Sequence, residues 1–376
     1  MNGSIRRRSK DSWELTIDLG RDAGGKRKRK FINVKGTKAE AQRKLRDLLV
    51  ASDKGIPIKA KKVTVAQWLQ KWLEEYVIPK RRQLTIERYE GIVRKHLVPT
   101  LGHIELTKLA PSDIQALETK LTTSGMAPMG VREVHHVISG ALKYALKMDA
   151  VWRNPALAVT PPKAERKEVV PPDMAGVKQL LAMAQANEHP FFSCLHFIAY
   201  TGVRRGEALG LRWRDVDLET GAASIAQTVV VSQKQGLIFQ PPKTNSGRRV
   251  IDLDDDTVAV LRALQGQQLL HKAALEGAYQ DRNLVFANPL GHPIYPDTLA
   301  RHLKKLAVAV GLEGLKLHDL RHFHASVLIQ RGESPVLVSK RLGHATVSIT
   351  MDVYAHLLKG YQKDAANGFA KAMREA

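Results

Sequence analysis

The stretch His318-Asp319-Leu320-Arg321-His322 carries three basic side chains within five residues. It lies at a predicted helix start, where three-residue spacing puts His318 and Arg321 on one face, so that both can reach a single phosphate. His322 and the nearby His324 raise the alternative of a zinc site. No carboxylate or thiolate accompanies these histidines at a convincing spacing, which argues against zinc. The stretch therefore indicates a helix start that binds phosphate.

Upstream, two further basic residues stand in contexts that suit phosphate chemistry. Arg204 lies in Thr-Gly-Val-Arg-Arg-Gly-Glu (201–207), where an apolar helix passes through a glycine turn into another helix. There its side chain can meet an anion together with backbone N–H groups. Lys243 lies in a predicted turn before a strand that resumes at Arg249. A lysine on a hairpin is usually solvated, but one that reaches a groove can protonate a leaving oxygen.

Downstream, His344 follows Leu-Gly, and Tyr354 comes ten residues later. A tyrosine in this context is more often a core or surface residue than a nucleophile, and Tyr361 is a competing candidate. Taken together, the six positions favour covalent chemistry on a phosphodiester. No acidic or cysteine cluster accompanies them, so neither a metal nor another cofactor is expected.

Composition independently indicates a polyanionic partner. The 376 residues carry a formal net charge of +22, which suits nucleic acid or an anionic membrane surface. The single cysteine, Cys194, excludes an intramolecular disulfide framework. No apolar run approaches the length of a membrane span, and residues 1–8 do not have the pattern of a signal peptide. We therefore expect no membrane partner and a location in the cytoplasm of a bacterial host, associated with the nucleoid.

The charge is most concentrated in residues 1–58, which hold 16 Lys and Arg against 7 Asp and Glu. An alternating strand over residues 13–19 and a glycine-bearing turn precede a basic second strand, so the pattern predicts a β-hairpin. A helix follows, capped by Thr37 and Glu40. We predict that this hairpin binds DNA through Arg27, Lys28, Arg29 and Lys30. The alternative is that these side chains are simply a solvated hairpin tip.

Most of the chain beyond residue 62 is predicted to be helical. Apolar stripes mark four helices between residues 65 and 145, with turns at 99–102 and 124–128. Residues 53–62 and the proline-rich residues 160–173 are predicted linkers. After the second linker, residues 223–231 have the pattern of a strand. The tail up to residue 376 has an apolar helix face, which could pack on its own domain or on a neighbouring protomer.

In order, spacing and context, the six positions resemble those of the tyrosine recombinases, the phage-integrase family. The resemblance is strong over residues 173–360; Phe323-His324 departs from it, since the family commonly has Thr-Phe there. It implies a multidomain α+β fold with three domains. The first is an arm-type DNA-binding domain at 1–58, with a three-stranded sheet and a helix. The second is an all-α core-binding domain at 63–160. The third is a mainly α catalytic domain at 173–376, with a small antiparallel sheet.

The resemblance also implies a role for each residue. Tyr354 attacks a DNA phosphate to give a 3′-phosphotyrosine, and Lys243 protonates the 5′-oxygen. Arg204 and Arg321 bind the phosphate oxygens. His318 accepts or orients the tyrosine proton, and His344 hydrogen-bonds the phosphate. Glu207 supports the geometry.

The implied partners are double-stranded DNA at core and arm sites, three further protomers in a tetramer, and possible accessory bending and excision factors. Three alternatives stay open. The chain could be a Xer-like resolvase of dimers, although residues 1–58 argue against it. It could be a type IB topoisomerase, or a catalytically inactive architectural DNA-binding protein.

Overall fold

The computed structural model describes residues 3–9, 11–21, 27–53, 62–164, 170–354 and 361–375. For residues 17–21, 27–30, 47–48, 50–53 and part of 361–368 it describes the backbone alone. Two compact units form the chain, residues 1–166 and 167–376. The predicted linkers at 53–62 and 160–173 lie largely or partly outside the described residues, and the three-domain division stays a prediction.

The first unit begins with a three-stranded antiparallel sheet in the order β1-β2-β3, followed by one helix. The predicted hairpin is β2–β3, and β1 adds a third strand to it. As predicted, Thr37 and Glu40 cap the helix, since each backbone N–H donates to the other's side chain at 2.8 and 3.3 Å. Leu15, Ala41 and Leu45 form a small core between sheet and helix. The elements are β1 (Gly3–Ser9), β2 (Ser12–Arg21), β3 (Arg27–Lys35) and α1 (Lys38–Asp53).

Over residues 62–164, the first unit is mainly helical. The four predicted apolar stripes are buried or partly buried, and Trp68 fixes one helix crossing by donating its indole N–H to the carbonyl of Ala141 at 3.0 Å. The predicted turn at 99–102 is wrong. A π-helical turn, Val93–Leu97, continues without a break into a further helix, and Pro99 is the second residue of that helix. The helices are α2 (Val65–Trp72), α3 (Gln83–Ile92), α4 (Val98–Leu101), α5 (Pro111–Thr123) and α6 (Pro128–Lys147).

The second unit packs helices around one large apolar core, with five short strands at its edge. Its helices are α7 (Met174–Ala186), α8 (Phe192–Thr201), α9 (Arg205–Leu209), α10 (Asp255–Leu275), α11 (Pro296–Ala309), α12 (Leu317–Gln330), α13 (Pro335–Leu342), α14 (Val347–Tyr354) and α15 (Tyr361–Glu375). Its strands are β4 (Val216–Asp217), β5 (Ala222–Ile225), β6 (Thr228–Ser232), β7 (Gly236–Gln240) and β8 (Arg249–Asp252).

The strands form two separate sheets, β4-β5-β8 and β6-β7. The predicted single strand at 223–231 is therefore divided between both sheets. Helix α9 packs against β6, and Gln227 donates to the carbonyl of Gly210 at 2.8 Å, which turns the chain between β5 and β6. The Lys243 turn is also not a hairpin turn, because it joins β7 of one sheet to β8 of the other.

The C-terminal helix α15 confirms the predicted helical tail. Phe369 and Met373 on this helix are exposed. Whether the helix packs within its own domain or on a neighbouring protomer stays a prediction. Over the ranges that the structure describes, no helix is both long and apolar enough to cross a membrane.

Candidate active site

Arg321 lies where two helices end on glycine. Helix α8 ends at Gly202 and helix α13 at Gly343, with φ of +67° and +68°, a conformation that favours glycine. The Arg321 guanidinium donates to the Gly202 carbonyl and to the Leu342 carbonyl, each at 2.7 Å. Its side chain is only 2% exposed. The two bonds fix the orientation of Arg321 and leave three of its five N–H donors for other acceptors.

Glu207 joins two more arginines to this site. Its Oε1 accepts from Arg204 Nη1 at 2.7 Å, and its Oε2 accepts from Arg249 Nη2 at 3.0 Å. The Arg204 side chain is 41% exposed, whereas those of Arg249 and Glu207 are 7% and 4% exposed. Burial raises the pKa of Glu207, but Arg249 and Arg204 outweigh that effect and hold the pKa below its usual value. Glu207 is therefore an anion that holds the partly exposed Arg204, whose Nη2 also donates to the Gly343 carbonyl at 3.2 Å.

Arg249 also connects two turns to the cluster. Its Nε donates to the carbonyl of Arg341 at 2.6 Å, next to the Gly343-His344 turn. Its Nη1 donates to the carbonyl of Gly247 at 3.1 Å, in the turn that carries Lys243. A Cβ atom on Gly343 would lie 2.8 Å from Arg249 Nη1, so the close packing requires glycine there. A single buried guanidinium thus holds both turns beside Glu207.

The Tyr354 hydroxyl contacts an imidazole. His322 Nδ1 lies 2.6 Å from Tyr354 Oη, and the His318 ring stands edge-on to His322 with centroids 4.7 Å apart. Tyr354 is 2% exposed, and burial raises its pKa to about 12, partly opposed by Arg321. The hydroxyl is therefore protonated at neutral pH and within the electrostatic field of Arg321.

The imidazoles of the site are neutral at pH 7. Burial lowers the pKa of His344 to about 4, and Arg321 and Arg204 act in the same direction. Loss of hydration likewise lowers the pKa of His318 to about 4, aided by His322 and the same arginines. His344 Nδ1 lies 2.7 Å from the buried Thr350 hydroxyl. The fixed positive charge therefore comes from the arginines.

The site carries more positive than negative charge, an excess that a bound anion would balance. Arg204, Arg249 and Arg321 carry three positive charges against one carboxylate, Glu207. Burial and Arg204 lower the pKa of Arg321 to about 9, which leaves it charged at neutral pH. A doubly negative phosphoryl transition state would neutralise this excess. Among the described residues, no group of three or more His, Cys, Asp and Glu side chains could hold a metal ion.

The structure brings five of the six predicted catalytic residues together: Arg204, His318, Arg321, His344 and Tyr354. Lys243 lies exposed on its turn, and the described contacts of the cluster do not include it. The side chains of Arg27, Lys28, Arg29 and Lys30 lie outside the described part of the chain.

Two residues of the site were missed from the sequence. From the sequence, Arg249 is only the start of a predicted strand, and no local signal marks a buried guanidinium there. His322 is only a candidate zinc ligand at that level. Its spacing of four residues from His318, on the same helix face, is the signal that could have placed it in the site.

Comparison with known proteins shows the family of the chain. Residues 173–360 match the phage integrase family, and residues 64–122 match the phage integrase N-terminal SAM-like domain. The chain belongs to the phage integrase family. As an integrase of this family, it is a site-specific recombinase, an enzyme that breaks and rejoins DNA.

Relatives of the integrase match along most of its length. A tyrosine recombinase XerC-like protein of Caldanaerobacter subterraneus subsp. tengcongensis is 27% identical over 93% of each chain. An integrase of Streptomyces ambofaciens is 28% identical over 91% of this chain and 88% of the relative. The transposase from transposon Tn916 of Enterococcus faecalis is 23% identical over 92% of this chain and 84% of its own.

Solved structures share the fold and confirm the predicted fold class. The Tn1549 transposon integrase in complex with transposon right end DNA superposes with a TM-score of 0.70 at 18% identity. That match covers 82% of this chain and all of the other. A lambda integrase tetramer bound to a Holliday junction gives 0.56 at 18% identity, over 93% of this chain and 94% of the other.

Proposed function

We propose that this integrase cuts and rejoins DNA through a 3′-phosphotyrosine formed by Tyr354. The observation that carries the proposal is the position of the Tyr354 hydroxyl, which lies against a neutral imidazole and in the field of Arg321. Attack by Tyr354 Oη forms the new P–O bond and breaks the bond to the 5′-oxygen. Because the phosphotyrosine conserves the energy of the phosphodiester, a 5′-hydroxyl can reverse the step without ATP or a metal.

Arg204 and Arg321 bind the two non-bridging oxygens of the phosphate. Both have N–H donors left after their bonds to protein, and Glu207 holds Arg204 in place. Planar guanidinium groups suit this task because they present paired donors to charged oxygens. Their charge stabilises the pentacoordinate transition state more than the singly charged diester, which is what accelerates the reaction.

His344 donates a hydrogen bond to the same phosphate. When the Thr350 hydroxyl donates to Nδ1, the ring carries its proton on Nε2, and that N–H can point at the substrate. His318, beside Arg204 and Arg321, is placed to orient the phosphate.

Lys243 protonates the leaving 5′-oxygen once its turn closes on bound DNA. The hydrogen bond from Arg249 to the Gly247 carbonyl keeps one end of that turn at the site. Lys243 itself is exposed and lies outside the cluster, so this role depends on the turn moving with the substrate. A change in this one loop would then complete the site only when DNA is present.

Covalent capture tests the reaction. The integrase is incubated with a pool of nicked duplexes with a randomised central segment, and products are separated under denaturing conditions. We expect a protein–DNA band that recovers a defined core sequence, disappears in Tyr354→Phe and persists in the matched control Tyr361→Phe. A band that persists in Tyr354→Phe contradicts the proposal, and the absence of a band with wild-type protein supports the architectural alternative.

We also propose that the hairpin at residues 27–30 binds arm sites on DNA, separately from core binding by residues 63–160. The formal charge of residues 1–58 supports this. Replacing Arg27, Lys28, Arg29 and Lys30 by Ala should weaken DNA binding but leave core cleavage intact. The slope of log affinity against log salt should become shallower by about 0.9 for each phosphate that the variant no longer neutralises. An unchanged slope would show that these four side chains do not bind DNA phosphates, and would contradict the proposal for the hairpin.

The proposal also covers the DNA element on which the integrase acts and the number of protomers that act together. We expect a tetramer on two duplexes that integrates or excises a phage or another mobile element, in the cytoplasm and at the nucleoid. The relative named XerC-like keeps dimer resolution as the second candidate, since it matches 93% of the chain, including the N-terminal region. Intramolecular resolution of a plasmid with two core sites, without arm sites, would favour that candidate.

A further inference from the structure

We infer that His322 is the catalytic residue that accepts the proton of Tyr354. The inference rests on the proposed function and assigns a step in it. The contact of 2.6 Å between His322 Nδ1 and Tyr354 Oη joins α12 to α14, and it is the hydrogen bond that the structure gives to the Tyr354 hydroxyl. A base must lie within hydrogen-bond reach of the proton that it removes, and His322 meets that requirement.

The surroundings of His322 suit an acceptor. Burial lowers the pKa of His322, Asp319 opposes that effect, and Arg321 adds to it, so that the ring is neutral at pH 7. The charged and titratable groups around the ring are His318, Asp319, Arg321, His344 and Tyr354. With its proton on Nε2, the ring offers the lone pair of Nδ1 to the tyrosine hydroxyl.

His318 is placed for a different task. Its ring touches the edge of His322, and its charge environment is set by Arg321 and Arg204 as well as by His322. The two histidines, one helical turn apart, therefore divide the work. His318 faces the arginines that bind phosphate, and His322 faces the nucleophile. The histidine expected from the sequence to handle the tyrosine proton is thus one turn away from the one that contacts it.

The proton balance of the step is complete without another reactant. As Oη attacks phosphorus, its proton moves to His322 Nδ1, which becomes an imidazolium. The 5′-oxygen leaves with a proton from Lys243. In the resealing step the attacking 5′-hydroxyl returns its proton to Lys243 as the new P–O bond forms, and the proton on His322 returns to the tyrosine oxygen as the P–O bond to tyrosine breaks. Arg321 stabilises the tyrosine oxygen while that oxygen carries negative charge.

The test is the pH dependence of cleavage. The full-length integrase, His322→Asn and His318→Asn are compared in single-turnover cleavage of a nicked duplex that carries the sequence recovered by capture. Asn keeps an acceptor near the position of Nδ1 but cannot take up a proton. A general base contributes about 10²–10⁴-fold, so we expect a loss of at least about 100-fold in His322→Asn at pH 7.

The loss should shrink as pH rises. Without a base, cleavage depends on the tyrosinate fraction, which grows about tenfold per pH unit below the pKa of the phenol. The ratio of wild-type to His322→Asn rates should therefore fall about tenfold per unit from pH 7 to 9. The ratio for His318→Asn should stay constant over that range, because His318 acts on the phosphate.

Two results would overturn the inference. One is a rate ratio for His322→Asn that is near one or independent of pH, as a merely structural role predicts. The other is a pH-dependent loss in His318→Asn instead. His322→Gln replaces the Asn variant if the latter fails to fold. Failure of the proposed function is distinguishable, because then Tyr354→Phe would still form the covalent band.

Discussion

Replacing Arg249 with Met removes the positive member of a buried ion pair while keeping much of the side-chain volume. Glu207 would keep Arg204 as a partner but lose its second arginine. The carbonyls of Arg341 and Gly247 would lose a charged donor at 2.6 and 3.1 Å. The variant therefore breaks the connection between the Lys243 turn and the cluster without touching a residue proposed to bind phosphate.

The expected cost follows from burial. Breaking a buried ion pair by removing one partner typically costs about 3–5 kcal/mol, because the remaining charge stays desolvated. Since Arg204 still pairs with Glu207, we expect the lower end, about 3 kcal/mol. For a unit of some 200 residues this lowers Tm by about 6–12 °C.

Calorimetry of the full chain measures the effect, with Lys272→Met as the matched control. Lys272 pairs with Asp281 at 2.6 Å, but both side chains are about half exposed, so its loss should leave Tm unchanged. The pKa of Glu207 in the folded protein is held below its usual value. The stability that this ion pair contributes is therefore fully present above a pH of about 4, and it is lost as the pH falls through the lowered pKa of the folded state. A Tm decrease in Arg249→Met no larger than in the control would refute the reasoning, as would a difference that grows in acid.

Three further outcomes are expected. Gly343→Ala should destabilise the protein by about 2 kcal/mol or more and reduce cleavage, whereas Gly332→Ala, also at positive φ but facing open space, should cost only about 1 kcal/mol in thermal unfolding. Lys243→Ala should slow cleavage about 10²–10⁴-fold, and sulfur at the 5′-bridging position should restore it, since a thiolate leaves without a proton; no recovery would remove Lys243 as the acid. Burial and Arg341 lower the pKa of His324 to about 3, so the folded protein binds fewer protons than the unfolded chain, and Tm should fall as pH drops below about 6.5. That slope should be shallower in His324→Gln, and an unchanged slope would exclude His324 as its source.

Most helices of the integrase could be predicted because their signals are local. The Thr37–Glu40 cap and the apolar stripe from Val65 to Trp72 depend only on residues a few positions apart, and both were confirmed. The turn at 99–102 was wrong because Pro99 lies in a helical stretch that begins before it, and sequence alone cannot distinguish a tolerated proline from a break.

Strand pairing could not be predicted in the same way. The Lys243 turn resembles a hairpin because strands precede and follow it. Its strands pair with β6 and β5 instead, one in each sheet, and β6 packs against α9. These pairings join residues that the local pattern does not connect.

By itself, the sequence indicated the reaction class, since the order and contexts of Arg204, Lys243, His318, Arg321, His344 and Tyr354 resemble those of one family, and residues 173–360 match that family. Only the tertiary structure decided which groups touch. Arg249 reaches Glu207 across 42 residues, and His322 reaches Tyr354 across 32. Such contacts depend on how whole helices pack, and side-chain spacing along the chain carries no record of that packing.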